Sequence, residues 1–173
     1  MRRTFFAAAI LLGSLVPLST GAEVKATHPD EAADGKQHLP SPMVLELPLP
    51  TADPARQNKG EQRPPDLQSL KEYVCDGVMI HDASIGGQKL RSGELRSNLK
   101  LMFYTEPGVD KLLNVRTEIL SDGKMVSLGL APGIDAEEGK YSYASFSMTV
   151  PNAYLAPEKS PTLRIILTVV PNP

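Results

Sequence analysis

Short apolar or alternating runs, separated by turn residues, make up the chain from Leu67 to Pro173. Runs of this length are typical of β-strands, because the helices of a compact domain need longer stretches with a period near 3.6 residues. The runs are EYVCDGVMIH, NLKLMFYT, LLNVRTEIL, KMVSLGL, YSYASFSMTV and TLRIILTVV. With no long helices alternating between them, they predict an all-β fold, an antiparallel β-sandwich of six or seven strands over residues 67–173.

Period-two alternation within the runs predicts which side chains face the core. In the last run every second residue from Leu163 to Val169 is apolar. In KMVSLGL the same rule predicts that Val126, Leu128 and Leu130 share a face.

Turn residues predict where the strands end. SDGK predicts a tight hairpin because Asp-Gly accepts the positive φ angles that such turns require. DLQSLKEY predicts a short helix whose first turn is capped by Asp66. The predicted breaks between runs are Gly86-Gly87, Pro107-Gly108, Asp122-Gly123 and Pro132-Gly133.

The segment EEGKYSY, residues 137–143, resembles the corner that leads into strand F of immunoglobulin-like domains. Glu137, Gly139 and Tyr141 stand at the acidic, glycine and tyrosine positions of that corner. The resemblance implies an immunoglobulin-like sandwich in which the Tyr141 hydroxyl bonds back to the backbone. Tyr143 stands where the family has a cysteine and the chain has no Trp, so the resemblance covers a superfold and implies no function.

The stretch from Glu23 to Asp66 differs sharply in composition. It has eight prolines, no aromatic residue and many charged or small residues. Such a composition buries too little apolar surface to offset the entropy of ordering. We therefore predict that residues 23–66 are a disordered, flexible Pro-rich arm before the sandwich.

One stretch of the arm, SPMVLELPLP, is apolar in alternation. If it is extended, Leu45, Leu47 and Leu49 point one way, and Pro48 and Pro50 remove backbone donors along the opposite edge. The stretch then has one free edge for pairing with a sheet. Three alternatives remain open: incidental linker sequence, docking on the chain's own sandwich, or docking on another protein. The three leucines are the candidate partner-binding residues.

The first 22 residues are typical of an export signal. Arg2 and Arg3 precede the apolar run FFAAAILLGSLVPL and the small-residue end STGA. The run is shorter than the roughly 20 residues of a membrane-spanning helix, so no membrane anchor is predicted. MRRTFF resembles part of a twin-arginine export signal, although its short polar start favours the general secretory route. The predicted location is periplasmic or secreted.

Charge and cysteine usage limit the partners. The chain has 18 basic and 20 acidic residues, and loss of Arg2 and Arg3 with the signal leaves a formal net charge of −4. This excludes a nucleic-acid role, which needs clustered positive charge. Cys75 is the single cysteine, so no internal disulfide forms. We predict a buried, inert thiol, with pairing to another chain as the alternative.

Metal ligands are not clustered along the sequence. His28, His38 and His81 have no Cys or His at ligand spacing, so no zinc site is predicted. The loop GIDAEEGK lacks the full alternating ligand pattern of a calcium loop. Its acidic residues are predicted to be solvated turn charges: Asp135, Glu137 and Glu138.

Catalytic motifs of the common hydrolase and nucleotide-binding types do not occur in the chain. Ser84 lies near His81 and Asp82 in HDAS, but a catalytic triad is defined in space, and adjacency in sequence says little. No catalytic residue and no cofactor are predicted. The segment QKLRSGELRSNLK carries four cations, and a hairpin or loop with a solvated basic edge is favoured over an acidic partner's site. Those cations are Lys89, Arg91, Arg96 and Lys100.

The signal, the arm and the lack of catalytic motifs together predict an exported, non-catalytic binding module. Its partner is predicted to be a protein or a cell-envelope component. Two alternatives remain: an inhibitor or immunity-type protein of an envelope enzyme, and a small periplasmic hydrolase. The oligomeric state does not follow from the sequence.

Overall fold

A computed structural model describes residues 25–26, 30–31, 35–49, 65–108, 110–154 and 157–172. The predicted export signal at residues 1–22 and much of the predicted arm lie outside these residues. No helix in the described part of the chain is long and apolar enough to cross a membrane. Two sheets packed face to face make the described chain an all-β protein.

The described chain has eleven strands, one four-residue α-helix and three 3-10 helices, two of which span Asn152–Tyr154 and Pro157–Lys159. The helix, α1, spans Pro65–Gln68 and continues as a 3-10 helix over Ser69–Glu72. The strands are β1 Lys25–Ala26, β2 Asp30–Glu31, β3 Gln37–Leu39, β4 Met43–Pro48, β5 Tyr73–Cys75, β6 Val78–Lys89, β7 Glu94–Thr105, β8 Lys111–Ser121, β9 Lys124–Ala136, β10 Tyr141–Pro151 and β11 Thr162–Pro171.

The strands divide into two sheets, here called sheet A and sheet B. Sheet A has the order β1-β4-β11-β8-β9, and all its pairs are antiparallel. Sheet B has the order β10-β7-β6-β5-β3-β2, with one parallel pair between β3 and β5. Residues 67–173 contribute seven described strands. The two sheets bury one face each against a common core.

The core is built by side chains that alternate along the strands. In β11 every second residue is buried, from Leu163 to Val169, as the sequence pattern predicted. Strand β7 contributes the largest fully buried side chain, Phe103. Leu67 and Leu70 of the helical segment are fully buried and belong to the same core, so this segment packs into the sandwich next to β6.

The leucine stretch of the predicted arm is strand β4 of sheet A. Leu45 and Leu47 are 0% and 1% exposed, and Leu49 is also buried. The Leu49 N–H donates to the Pro161 carbonyl at 2.8 Å. Because backbone directions alternate along a strand, Leu47 and Leu45 also bond to β11, and Pro48 turns its missing donor away from it. These residues complete the chain's own sheet. The prediction of one free edge is wrong, because β1 pairs with the other edge of β4 at Leu45 and Glu46, which precede the prolines.

Residues 35–49 as a whole depart from a flexible arm. Leu39 in β3 is buried in sheet B, and Met43 in β4 is buried in sheet A. The composition of residues 23–66 suggested too little apolar surface to fold, but the apolar residues are concentrated in this one segment. Its alternation buries almost all of them in the core that it shares with the rest of the chain.

Two turn predictions are confirmed. Asp122 and Gly123 join β8 to β9 with φ angles of 49° and 72°, as a tight Asp-Gly hairpin requires. The basic segment forms the β6–β7 hairpin, where Leu90 N–H donates to the Glu94 carbonyl at 2.8 Å. The predicted helix is present but begins at Pro65, so Asp66 lies in its first turn and does not precede it as a cap.

The prediction that Val126, Leu128 and Leu130 share a face is wrong. The pairing of β8 with β9 shifts between Ile119 and Leu120, which leaves Val126 as an extra residue in β9. A bulge of this kind reverses the side-chain alternation after it. Val126 therefore packs against the core, whereas Leu128 and Leu130 are exposed.

Gly86-Gly87 does not end a strand, contrary to the sequence prediction. Both glycines lie within β6, opposite Asn98 and Ser97 of β7. Glycine by itself disfavours a strand conformation, but pairing with β7 keeps both glycines in β6. Pro132-Gly133 likewise lies within β9, at its second register shift.

Cys75 is a free, fully buried thiol whose Sγ donates to the Leu167 carbonyl at 3.9 Å. Burial raises its pKa to about 11. At pH 8 we expect the native protein to react with a thiol-specific disulfide reagent roughly a hundredfold or more slowly than the unfolded chain, because reaction requires opening of the core. Absorbance of the released thiolate, with and without denaturant, measures this ratio. Equal rates would show that the thiol is accessible.

Candidate binding surface

The outer face of sheet B carries an aromatic cluster on strands β10, β7 and β6, at the β10 edge of the sheet. Tyr141 and Tyr143 point outward from β10 and are 49% and 66% exposed. In the register of the sheet Tyr141 lies opposite Tyr104 of β7, and Tyr143 lies opposite Met102. His81 of β6 completes the cluster. These five residues, His81, Met102, Tyr104, Tyr141 and Tyr143, are called the tyrosine surface below.

A bulge in β6 brings His81 to this surface. The pairing with β7 shifts between Ile80 and Asp82, so His81 is an extra residue with no partner in the register. Its ring meets the Tyr141 ring at a centroid distance of 4.9 Å in an edge-on arrangement. The Tyr104 and Tyr141 rings are 5.2 Å apart and tilted. Such contacts hold aromatic rings in place before any partner arrives.

A shallow groove of about 220 Å³ adjoins the tyrosine surface. Asp82 and Ser84 of β6, Lys100 of β7, and Tyr143 and Ser145 of β10 line it. Lys71 of the 3-10 helix lies 3.8 Å from the Asp82 carboxylate. The groove therefore presents hydroxyl groups and charges of both signs beside an aromatic surface, which is suited to directional polar contacts.

The groove is relevant to the hydrolase alternative because it contains Ser84 and Asp82 of the sequence HDAS. Ser84 and Asp82 both line it, whereas the His81 ring packs on Tyr141 at the bulge. A serine nucleophile needs a base within hydrogen-bond reach and a third group that orients the base. The residues HDAS thus contribute to two different features of this face, an aromatic contact and a groove.

The corner segment joins β9 of sheet A to β10 of sheet B. Gly139 has a φ of +65° and donates its N–H to the Thr105 carbonyl at 3.0 Å. Glu137 forms an ion pair with Lys140, whose pKa is raised by that hydrogen bond. Tyr141 follows at the start of β10, where its ring contacts the rings of His81 and Tyr104. The proposed backbone bond of its hydroxyl stays a prediction.

The outer face of sheet A is organised by a row of ion pairs. Arg164 of β11 donates from Nε to Glu46 of β4 at 2.6 Å, and from a terminal nitrogen to Glu118 of β8 at 3.1 Å. Arg116 also pairs with Glu118. The Arg164 pKa is raised, first by its hydrogen bond to Glu46 and further by that to Glu118. The four side chains thus form a network of ion pairs that links strands β4, β11 and β8.

A second groove, of about 380 Å³, lies on the sheet A face beside this row. It is mainly aliphatic, and Leu130 at its border is 63% exposed. No aromatic ring lines it; its walls include Pro42, Asn114, Arg116, Leu130, Pro132 and Ile166. Tyrosine supplies both apolar area and a hydroxyl at low entropic cost, and it is enriched at protein interfaces. The sheet B face is therefore the stronger candidate.

The candidate residues predicted from the sequence do not come together in one site. Leu45, Leu47 and Leu49 lie in the core, so they are not available to a partner in this structure. Glu137 and Gly139 shape the corner, and Tyr141 alone joins the tyrosine surface. Within the described residues no three His, Cys, Asp or Glu side chains are placed to hold a metal ion.

Sequence reasoning missed Tyr104 and Tyr143 as surface residues. The signal for β10 was present in YSYASFSMTV, where every second residue from Tyr141 to Thr149 is polar and uncharged. The contribution of Tyr104 depends on the register between β7 and β10, which the sequence does not show. The sequence has no signal that places His81 on this surface, because its position depends on the bulge in β6.

No family model, no curated protein and no solved structure matches this chain. The tyrosine surface and its groove are the features that distinguish one face of the described sandwich from the other.

Proposed function

We propose that the chain is an exported, non-catalytic binding module that presents the tyrosine surface of sheet B to a protein partner of the cell envelope. One observation carries this proposal: Tyr141 and Tyr143 are 49% and 66% exposed on the outer face of sheet B, beside Tyr104 and His81. A monomeric protein gains little from exposing adjacent aromatic rings, and such clusters are typical of interaction sites.

The chemistry of the surface supports a protein as the partner. Each tyrosine offers about 150 to 250 Å² of ring and stem for burial, and its hydroxyl pairs with backbone or side-chain groups. The ring contacts at 4.9 and 5.2 Å hold Tyr141 in place, so binding orders few side chains. The adjoining groove adds Lys100 and Asp82 as groups of opposite charge.

The immunoglobulin-like part of the fold prediction is also a proposal, and the strand order supports it. The order β6-β7-β10 corresponds to strands A, B and E of an immunoglobulin domain, and β9-β8-β11 to strands C′, C and F. Strand β4 then takes the place of strand G although it comes from the N-terminal side. In this alignment the corner precedes strand E, whereas the resemblance assigned it to strand F.

Export is proposed from residues 1–22, which lie outside the described part of the chain. For those residues of 23–66 that lie outside the described ranges, the proposal of a disordered arm is based on amino-acid composition alone. An inhibitor or immunity-type protein is one form of the same proposal, since it also binds an envelope protein through a surface.

A photo-crosslinking residue in place of Tyr143 tests the proposed surface in cells that naturally make this protein. We expect a defined crosslinked product with another envelope protein, because Tyr143 is 66% exposed on the tyrosine surface and lines the adjoining groove. The same residue in place of Leu130 is the matched control, since Leu130 is equally exposed on the opposite sheet. Products of equal yield at Leu130, or none at Tyr143, would contradict the proposal.

Once crosslinking has identified the partner, its dissociation constant can be measured with variants of the surface. Tyr143→Ser is expected to weaken binding by about tenfold or more, as for an aromatic residue at the centre of an interface. Leu130→Ser is expected to leave the dissociation constant unchanged. Isothermal titration calorimetry with both variants measures the difference.

A further inference from the structure

Strand β10 ends sheet B and has one edge without a strand among the described residues. Its other edge pairs with β7 through eleven consecutive residue pairs, from Tyr141 opposite Tyr104 to Pro151 opposite Glu94, without a register shift. A long and regular edge strand presents a row of backbone donors and acceptors that another strand can use.

The direction of these backbone groups follows from the corner. Thr105 N–H donates to the Lys140 carbonyl, and Gly139 N–H donates to the Thr105 carbonyl. Both backbone groups of Thr105 therefore face β10, as do those of Phe103 by alternation. Phe103 lies opposite Ser142, so Ser142 and every second residue after it bond to β7. The groups that face the open edge belong to Tyr141, Tyr143, Ser145, Ser147 and Thr149.

The two long edge strands on this side of the sandwich differ in their protection. Strand β9 of sheet A has two register shifts, contains Pro132 and begins with Lys124. Bulges, prolines and lysines are the devices by which edge strands avoid pairing. Strand β10 has none of them from Tyr141 to Val150, and no charged residue at all in that range.

We propose that β10 pairs antiparallel with β10 of a second copy of this chain, so that the two B sheets form one continuous sheet. Charge supports a second copy as the occupant. In a two-fold pairing each strand lies beside a copy of itself, so a charged strand would bring like charges together. Strand β10 has no charged residue from Tyr141 to Val150, so this repulsion does not arise. The register that uses all five outward-facing residues is centred on Ser145 and places Tyr143 opposite the partner's Ser147.

This pairing would double the proposed binding surface. Both tyrosine surfaces lie on the same face of the continuous sheet, because sheet B is extended without being turned over. A partner with two sites, or a surface with many, would then gain from simultaneous binding. The dimer is independent of the proposed function, since it uses the backbone edge and the function uses the outer side chains.

Sedimentation velocity of the purified mature protein over a wide range of concentration tests the dimer. We expect a monomer–dimer equilibrium in the wild type. Ser147→Pro removes an N–H that faces the open edge and leaves the ladder with β7 intact. Ser147→Lys places a positive charge on the same edge, where it opposes pairing with another strand. Each is expected to raise the dimer dissociation constant by about tenfold or more.

The matched control is Asn98→Lys, because Asn98 lies directly opposite Ser147 on β7 and is also exposed. It adds the same charge to the same face, away from the edge, and is expected to leave the dissociation constant unchanged. Circular dichroism checks that the Ser147→Pro variant is folded. If this variant does not fold, the dissociation constant of Ser147→Lys alone tests the proposal. A wild-type monomer at every concentration, or equal weakening by Asn98→Lys, would overturn the proposal. Crosslinking from position 143 to a different protein is a separate result that neither outcome affects.

Discussion

Leu47→Ala is expected to lower the free energy of unfolding by about 2 to 5 kcal/mol, the usual cost of truncating a fully buried leucine. Leu47 is 1% exposed and packs in the common core from strand β4. The strand belongs to a segment whose composition predicted a flexible arm. A loss of this size would show that the segment is part of the folded domain in solution.

The matched control is Val44→Ala on the opposite face of the same strand. Val44 is partly exposed and lies opposite Ile166 outside the core, so its truncation is expected to cost below about 1 kcal/mol. Leu47→Pro is expected to be more damaging than Leu47→Ala, because it also removes a backbone donor that faces β11. Urea unfolding followed by circular dichroism measures all three. Equal small losses at Leu47 and Val44 would mean that β4 does not dock in solution.

Gly129→Ala is expected to lower the free energy of unfolding by about 1 to 3 kcal/mol, the typical cost of overpacking a core. A Cβ atom at Gly129 would lie 2.6 Å from Thr117 Oγ1 and 2.8 Å from Phe146 Cδ1. Thr117 is on the neighbouring strand β8 and Phe146 is on β10 of the other sheet. The glycine therefore allows the two sheets to approach closely at this side of the sandwich.

Gly86→Ala provides the comparison within a strand. A Cβ atom at Gly86 would have no heavy atom within 4 Å, so the substitution is expected to change stability by no more than about 0.5 kcal/mol. A second-site change, Phe146→Leu in the Gly129→Ala background, is expected to restore part of the loss by making room. The same unfolding measurement applies to each variant. A neutral Gly129→Ala would show that the sheets are farther apart there than the structure indicates.

Local patterns predicted much of the sandwich because strands and tight turns depend on neighbouring residues. The buried face of β11 followed from its period of two, and the β8–β9 hairpin followed from Asp122-Gly123. Both features require only that each residue suit the conformation of its own segment. Residues 41–50 were recognised by the same alternation, although it left open which sheet they join.

Register and packing were not predictable by the same means. The bulge at Val126 exists because β9 must pair with β8 on both sides of a mismatch, and it reverses the faces of Leu128 and Leu130. Gly86-Gly87 remains in a strand because β7 pairs along its whole length. These outcomes depend on contacts between segments far apart in the chain, and local propensity does not contain them.

The sequence by itself determined that the chain is built of strands, where the β8–β9 hairpin turns, and that Leu45 and Leu47 share one face of β4, because these properties come from side-chain alternation and Asp-Gly chemistry. Only the tertiary structure decided that β4 completes sheet A beside β11. Only the tertiary structure also brought His81, Tyr104, Tyr141 and Tyr143 to one face. A strand's own residues specify two faces and two edges, but its neighbours decide which face is buried and which edge remains open.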